Sequence, residues 1–372
     1  MKFIFWQNII SIHQSVFLTA LAERYPVTLV VEHEIESQRK DDGWSVPSMG
    51  NTRIVTAPNY EQIEQLITQN NDSIHVFSGI NAFQLVYRAF RTAYKKRMHI
   101  LVYLEPYIWN DSKGWLRRIK YTWLGLRYQS HIQGVLATGQ TGINCYRKAW
   151  FSSKKLYQWG YFTTATSTQA LPQERYSDKE KPKILFVGRL DHNKNCLLLL
   201  DICKRLLGQF DQLTIVGDGE HRDEIKYRIK DIPQVQYLGV LPNEKVKEVM
   251  SQHDILVLPS QYDGWGAVVN EALQCGMRVI ASENCGASVL LDGIQRGELF
   301  CFKGKNQLET VVKRWLAKGK PTIEERQEII RWTEETISGT VAADYFVKIC
   351  EHVFENNPNK PTAPWLGNDF MH

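Results

Sequence analysis

The sequence predicts an α/β protein built from two doubly wound domains, each a parallel sheet with helices on both faces. Three observations lead there. Short apolar runs alternate with longer amphipathic stretches along most of the chain. The alternation comes in two blocks. Between the blocks lies Thr163–Lys183, TTATSTQALPQERYSDKEKPK, which is polar and aperiodic.

In the first block the expected strands are Lys2–Trp6, Val27–Val31, Thr52–Val55, Ile74–Phe77, His99–Tyr103, Gly134–Ala137 and Leu156–Trp159. Helical patterns fall between several of them, including Ala82–Tyr94 and Trp115–Tyr128. In the second block strands are expected at Ile184–Val187, Gln212–Val216, Val235–Leu238, Ile255–Leu258 and Arg278–Ala281. Helices follow at Pro321–Thr336 and Val341–Phe354. The expected division is a first domain over 1–165, a linker over 166–182 and a second domain over 183–340. A closing helix within 341–372 is expected to pack back on the first domain.

Bulk properties agree with two ordinary domains: 372 residues, 43% hydrophobic and 23% charged. Such a chain buries a substantial core, which excludes a disordered protein. The seven cysteines form no C-x-x-C pair and are odd in number. A zinc knuckle or disulfide framework is therefore not expected, and a reducing cytosol is. Gln7, Asn8, Ser11, His13 and Gln14 interrupt the N-terminal apolar residues, so no signal peptide is expected. No run reaches the roughly 18 apolar residues of a membrane span.

Charge is unevenly spread. Asn81–Lys155 holds 14 Lys or Arg against Glu105 and Asp111, a net +12 in a chain of net +5. The rest is therefore −7, an asymmetry that suggests a polyanionic partner for one face. Nucleic acid is not expected, because no recognition motif accompanies the charge.

Three motifs carry chemistry. In ILFVGRLDHNKN, Ile184–Asn195, a buried strand ends at Gly188, and Arg189 and Lys194 precede a helix. Ligands of parallel sheets bind at the carboxyl ends of strands, and helix N-termini favour anions. Two cations there suit a diphosphate; the alternative is a solvated loop. In LTIVGDGEHRDEI, Leu213–Ile225, Gly217 and Gly219 open a helix and would admit a ligand close to the backbone, or simply make a tight turn. In ILVLPSQYDGWGAVVNEALQCGMRVIAS, Ile255–Ser282, a strand leads to Asp263, Gly264, Trp265 and Gly266, then to a helix carrying Glu271. Asp263 and Glu271 can face one pocket at that helix N-terminus. Glu271, among apolar neighbours, needs a partner such as the hydroxyls of a ribose.

Together GRLDHNK, GDG and DGWGAVVNE resemble the family 4 glycosyltransferases, retaining enzymes of GT-B fold that assemble bacterial surface polysaccharides. The family pattern reads G-R-L-x-x-x-K, a later G-x-G, then E-G-x-G with a second Glu eight residues after the first. The resemblance covers Ile184–Ser282 and implies two Rossmann-like domains facing across a cleft. By resemblance, Arg189 and Lys194 would hold the donor diphosphate beside Gly188. Glu271 would bind ribose, and Asp263 would contact the transferred sugar. The amides of Trp265, Gly266 and Ala267 would grip the distal phosphate, and Gly217–Gly219 would lie near the base or ribose. The donor would be a UDP- or GDP-sugar, with no metal required.

Three departures stand out. Asp263 replaces the usual Glu, the loop QNIISIHQ after the first strand lacks Gly, and LVYLEPYIW puts Glu105 where many members have His. Glu105 could bind donor sugar or acceptor, or act as a base, and could equally be a surface carboxylate. His13 could line the same cleft.

On the acceptor side, Trp115, Leu116, Ile119, Trp123 and Leu126 share one side of a helix that also carries Arg117, Arg118, Lys120 and Arg127. Two readings stay open: contact with an anionic membrane surface that presents a glycan or lipid-diphosphate-linked acceptor, or ordinary packing against the sheet. The first makes the enzyme peripheral at the inner face of the cytoplasmic membrane. Alternatives to transfer are a GT-B nucleotide-sugar epimerase and a catalytically silent binding subunit.

Overall fold

A computed structural model describes residues 1–34, 46–163, 180–291, 294–303, 306–355 and 357–367. Most of the expected linker, 166–179, lies outside the described residues. The chain divides into two units. The first contains the described residues up to Thr163 and those from Ile337 onward, and the second those between.

The first unit runs β1 (Phe3–Gln7), α1 (Ile12–Ala22), β2 (Val27–Val31), β3 (Arg53–Thr56), α2 (Tyr60–Gln69), β4 (Ile74–Ser78), α3 (Gln84–Lys95), β5 (His99–Leu104), α4 (Gly114–Tyr128), β6 (Gly134–Thr138), α5 (Gly139–Lys148) and β7 (Leu156–Trp159). Its seven strands are parallel in the order β3-β2-β1-β4-β5-β6-β7. Central strands such as FIFWQ are buried along their whole length, as expected for a sheet covered on both faces. Trp6, Phe77, Phe90, Val102 and Val135 anchor its core.

The second unit runs β8 (Lys183–Val187), α6 (Cys196–Arg205), β9 (Gln212–Val216), α7 (Arg222–Ile229), β10 (Val235–Gly239), α8 (Asn243–Ser251), β11 (Ile255–Leu258), α9 (Ala267–Gln274), β12 (Arg278–Ser282), β13 (Gly297–Phe300), α10 (Gln307–Lys318) and α11 (Ile323–Ile337). The six strands are parallel in the order β10-β9-β8-β11-β12-β13. Phe186, Ile215, Val257 and Ile280 lie at the centre of its core. The edge strand β13 was not anticipated. In each sheet the winding reverses once, between β1 and β4 and between β8 and β11, and such switch points open a crevice at the strands' carboxyl ends.

The closing helix α12 (Gly339–Phe354) joins the first unit. Phe346 meets the rings of Phe3, Phe5, Phe17 and Trp159 at centroid distances of 5.2, 5.7, 5.3 and 6.0 Å. The Tyr345 hydroxyl donates to Gln158 O at 2.9 Å. Arg278 and Arg326 are buried in the second unit, where they pair with Glu325 and Asp254 and tie α11 to the sheet.

Candidate active site

The site of the second unit grows from the loops that leave β8, β9, β11 and β12. After β8 the chain turns at Gly188 and is bonded to the next loop: Gly188 N donates to Val216 O at 3.0 Å and Leu190 N to Asp218 O at 2.8 Å. The two loops touch so closely that only glycine fits. A Cβ on Gly217 would come within 2.0 Å of Gly188 O, and one on Gly219 within 2.6 Å of Leu190 O. Both glycines have positive φ, 132° and 157°. The second motif therefore backs the cationic loop of the first.

Asn193 ties that loop to the third motif. Its side chain donates to Tyr262 O at 2.9 Å and accepts from Tyr262 N at 3.1 Å, and its carbonyl accepts from Gln261 N at 2.8 Å. These bonds hold Lys194 against Asp263, and the two side chains form a largely buried ion pair. Arg189 stands exposed at the start of the same loop.

The turn from Asp263 to Gly266 rests on the loop after β12. Asp263 N donates to Asn284 O at 3.2 Å, Gly286 N to Asp263 O at 3.1 Å and Ala287 N to Trp265 O at 2.7 Å. A Cβ on Gly286 would come within 2.2 Å of Gly264 O. The Trp265 ring is buried, and its Nε1 donates to Asn270 at 2.8 Å, pinning the turn to α9. Gly266 caps α9 with φ 90°, which favours glycine. No side-chain hydrogen bond caps α6 or α9, and uncapped helix N-termini favour anions.

Glu271 sits on the fifth residue of α9, buried at 8% exposure. Burial pushes its carboxyl up to about 7, against the opposing pull of Lys247. A buried acid poised between charge states suits a group waiting for hydroxyl partners. Among the described residues no cluster of three or more His, Cys, Asp and Glu side chains could hold a metal ion.

Glu105 belongs to the first unit. It is exposed just beyond β5 and accepts a hydrogen bond from the Tyr161 hydroxyl. Its backbone carbonyl accepts from the Tyr146 hydroxyl. His13 stacks on the Tyr161 ring at 5.0 Å and 11°. Glu105, His13, Tyr146 and Tyr161 line one cavity of about 410 Å³. Neither tyrosine was singled out from sequence. Tyr161 follows β7 and Tyr146 lies on α5, so nothing in their spacing ties them to Glu105.

Helix α4 does not turn its apolar side into the fold. Trp115, Leu116, Ile119, Trp123 and Leu126 are 48% to 63% exposed, while Leu124, Gly125 and Tyr128 face inward. The packing alternative fails for these five residues. No helix among the described residues is long and apolar enough to cross a membrane.

Residues 167–335 match the family model described as Glycosyl transferases group 1. Curated relatives include an uncharacterized 41.2 kDa protein in the cps region of Klebsiella pneumoniae, 25% identical over 65% of this chain and 68% of that protein. The amylovoran biosynthesis glycosyltransferase AmsD of Erwinia amylovora is 31% identical over 35% of this chain and 38% of that protein. A Campylobacter jejuni α-1,4-N-acetyl-D-galactosaminyltransferase, named for a diNAcBac-PP-undecaprenol-linked substrate, is 28% identical over 51% of this chain and 48% of that protein. The chain thus spans two thirds of the first relative and less than half of the other two. Among solved structures, Anabaena Alr3699/HepE in complex with UDP superposes with a TM-score of 0.68 at 13% identity, over 95% of this chain and 100% of that one. The lipopolysaccharide outer core galactosyltransferase WaaB does so at 0.70 and 14% identity, over 96% and 100%. These two likenesses establish the fold. By its matched residues this chain carries a glycosyl transferases group 1 domain, and its architecture is the GT-B fold.

Proposed function

We propose that the chain transfers a sugar, with retention at the anomeric carbon, from a nucleoside-diphosphate sugar to a glycan carried on a lipid diphosphate. The observation that carries this reading is the Lys194–Asp263 ion pair beside the uncapped starts of α6 and α9. Donor binding would insert the diphosphate beside Lys194 and Arg189, with the first amides of α9 (including Ala267) on its distal phosphate and ribose hydroxyls donating to Glu271. Asp263 would turn to the hydroxyls of the transferred sugar. A UDP donor draws support from the UDP held by the Anabaena structure of the same fold.

The chemistry is governed by the leaving group. As the bond from the anomeric carbon to the diphosphate breaks, positive charge builds on the sugar and negative charge on the departing oxygens. Preorganised cations and amides stabilise that negative charge most in the transition state. The acceptor hydroxyl forms the new bond on the same face, and its proton passes to the departing phosphate oxygen. Charge stabilisation by Lys194 and Arg189 makes the reaction metal-independent in this reading.

The acceptor reading rests on α4. Exposed indoles and aliphatic side chains beside Arg118, Lys120 and Arg127 suit an anionic lipid surface, where each nearby cation contributes about 1 kcal/mol. The name of the Campylobacter relative, which includes a polyprenyl diphosphate, points the same way. Location at the inner face of the cytoplasmic membrane follows from this reading.

A thermal-shift series with UDP, GDP, ADP and their sugars tests the donor site. One base should raise the melting temperature as its concentration grows, by mass action on the folded state. Glu271→Ala should abolish most of that rise. If no nucleotide stabilises the protein, the donor assignment falls.

A further inference from the structure

Lys194 and Asp263 meet where the second unit is built to hold an anion, and one of the two is itself an anion. The pair is largely withdrawn from solvent, its side chains 24% and 14% exposed. Gly266, which caps α9, stands beside the carboxylate: a Cβ there would come within 3.5 Å of Asp263 Cγ. The carboxylate therefore lies on the ammonium and at the positive end of α9 together. These are the supports that a donor diphosphate would use.

The backbones that carry the pair are fixed. Lys194 N donates to Asp191 Oδ1 at 2.7 Å. Asp263 N donates to Asn284 O, and Asp263 O accepts from Gly286 N. The space behind the turn is filled, since the same Cβ on Gly266 would come within 2.6 Å of Cys285 Sγ and 3.2 Å of Leu258 Cδ2. A ligand arriving here exchanges side-chain partners on a rigid frame.

We propose that Asp263 is an internal competitor of the donor diphosphate for Lys194, and that this competition expels the spent nucleoside diphosphate. The proposal rests on the transferase reading and adds how the donor opening tells donor from product. A largely buried charge that loses its partner is strongly disfavoured. A nucleoside diphosphate alone gives Lys194 a new partner, but it strips Asp263 of its own and sets a like charge beside it. A sugar nucleotide satisfies both, because its sugar hydroxyls donate to the freed carboxylate. Once the sugar has left with the acceptor, Asp263 loses those donors and takes the ammonium back. The donor is thus held more tightly than the product, with no movement of the backbone.

Isothermal titration calorimetry on the full chain tests this. The probes are UDP, GDP and ADP, with UDP-glucose, UDP-galactose, the two UDP-N-acetylhexosamines, GDP-mannose and ADP-glucose beside them. In the parent at least one sugar nucleotide should bind severalfold more tightly than its own nucleoside diphosphate. Asp263→Asn keeps the shape and removes the charge. It should tighten binding of that nucleoside diphosphate about tenfold, the size of one hydrogen bond between charged groups. The preference for the sugar nucleotide should vanish with it. Asp191→Asn removes a charge that meets the Lys194 amide rather than its ammonium, and should leave both affinities within about threefold of the parent. A parent that binds the nucleoside diphosphate as tightly as every sugar nucleotide overturns the proposal, whatever the variants do. So does an unchanged or weakened nucleoside diphosphate affinity in Asp263→Asn, or an equal gain in Asp191→Asn, which would mark plain charge repulsion. In each of these cases nucleotide still binds and the transferase reading stands. Absence of binding by every probe sinks that reading and this proposal together.

Discussion

The two sheets of this molecule share a winding scheme and open at equivalent switch points, yet the two openings are lined by opposite chemistry. Beyond β8 and β11 stand Arg189, Lys194, two uncapped helices and glycines that bring backbones within contact. Beyond β1 and β4 stand five tyrosines, one carboxylate and no Lys or Arg among the described residues. One fold thus lines the same crevice with cations in one unit and with tyrosines in the other. What differs is the loop sequence: the first opening has QNIISIHQ where the second has GRLDHNK. The contrast teaches that switch-point geometry supplies a place for a ligand, and that loop side chains choose which ligand.

The comparison breaks most readily at Lys194. Lys194→Ala should lower turnover roughly 10²- to 10³-fold, the usual effect of removing one group that stabilises transition-state charge. Steady-state donor turnover measures it, and circular dichroism checks that the fold survives. A turnover within a few-fold of wild type would remove the anion site from the mechanism.

Next in size is the outer side of α4. The double substitution Trp115→Ser/Ile119→Ser should reduce sedimentation with anionic vesicles more than tenfold, since each buried apolar side chain contributes about 1.5–3 kcal/mol. Binding to neutral vesicles should be weak from the start. Equal sedimentation of variant and parent would mean that these residues serve another surface.

The smallest effect sharpens the electrostatics of the donor opening. Glu271 titrates near 7 in the fold, well above its ordinary value of 4.5. A raised carboxyl pKa means the folded state binds a proton more tightly than the unfolded chain does. Stability is therefore lost as pH rises from about 4.5 towards 7 and levels off above it. Glu271→Gln should melt near the parent at pH 4.5 and a few degrees above it at pH 8. A melting difference that is flat across this range would show that Glu271 ionises normally.

Much of this was legible in the sequence, for definite reasons. Central strands buried on both faces read as short apolar runs such as ILFV and ILVL, which made them legible. β13 escaped because GELF has no such run; Glu298 and Leu299 are not buried on this edge strand. The cationic and glycine motifs were visible because their residues are close in sequence and sit directly after strands. The arrival of Tyr146 and Tyr161 beside Glu105 and His13 was not, since it depends on elements that meet only in the folded sheet. Helical periodicity likewise revealed that α4 is two-sided, but not that Trp115 and Ile119 face solvent.

The return of α12 to the first unit has a consequence for biosynthesis. Phe3, Phe5 and Phe17 leave the ribosome before the second unit, but Phe346 emerges only after it. The intervening unit is contiguous and can complete its core while the earlier one still waits, so the usual order of maturation is reversed. During that interval an aromatic seam stands open on the nascent chain, a natural holding point for a chaperone. A deletion of the last helix should accordingly harm the part of the molecule made first.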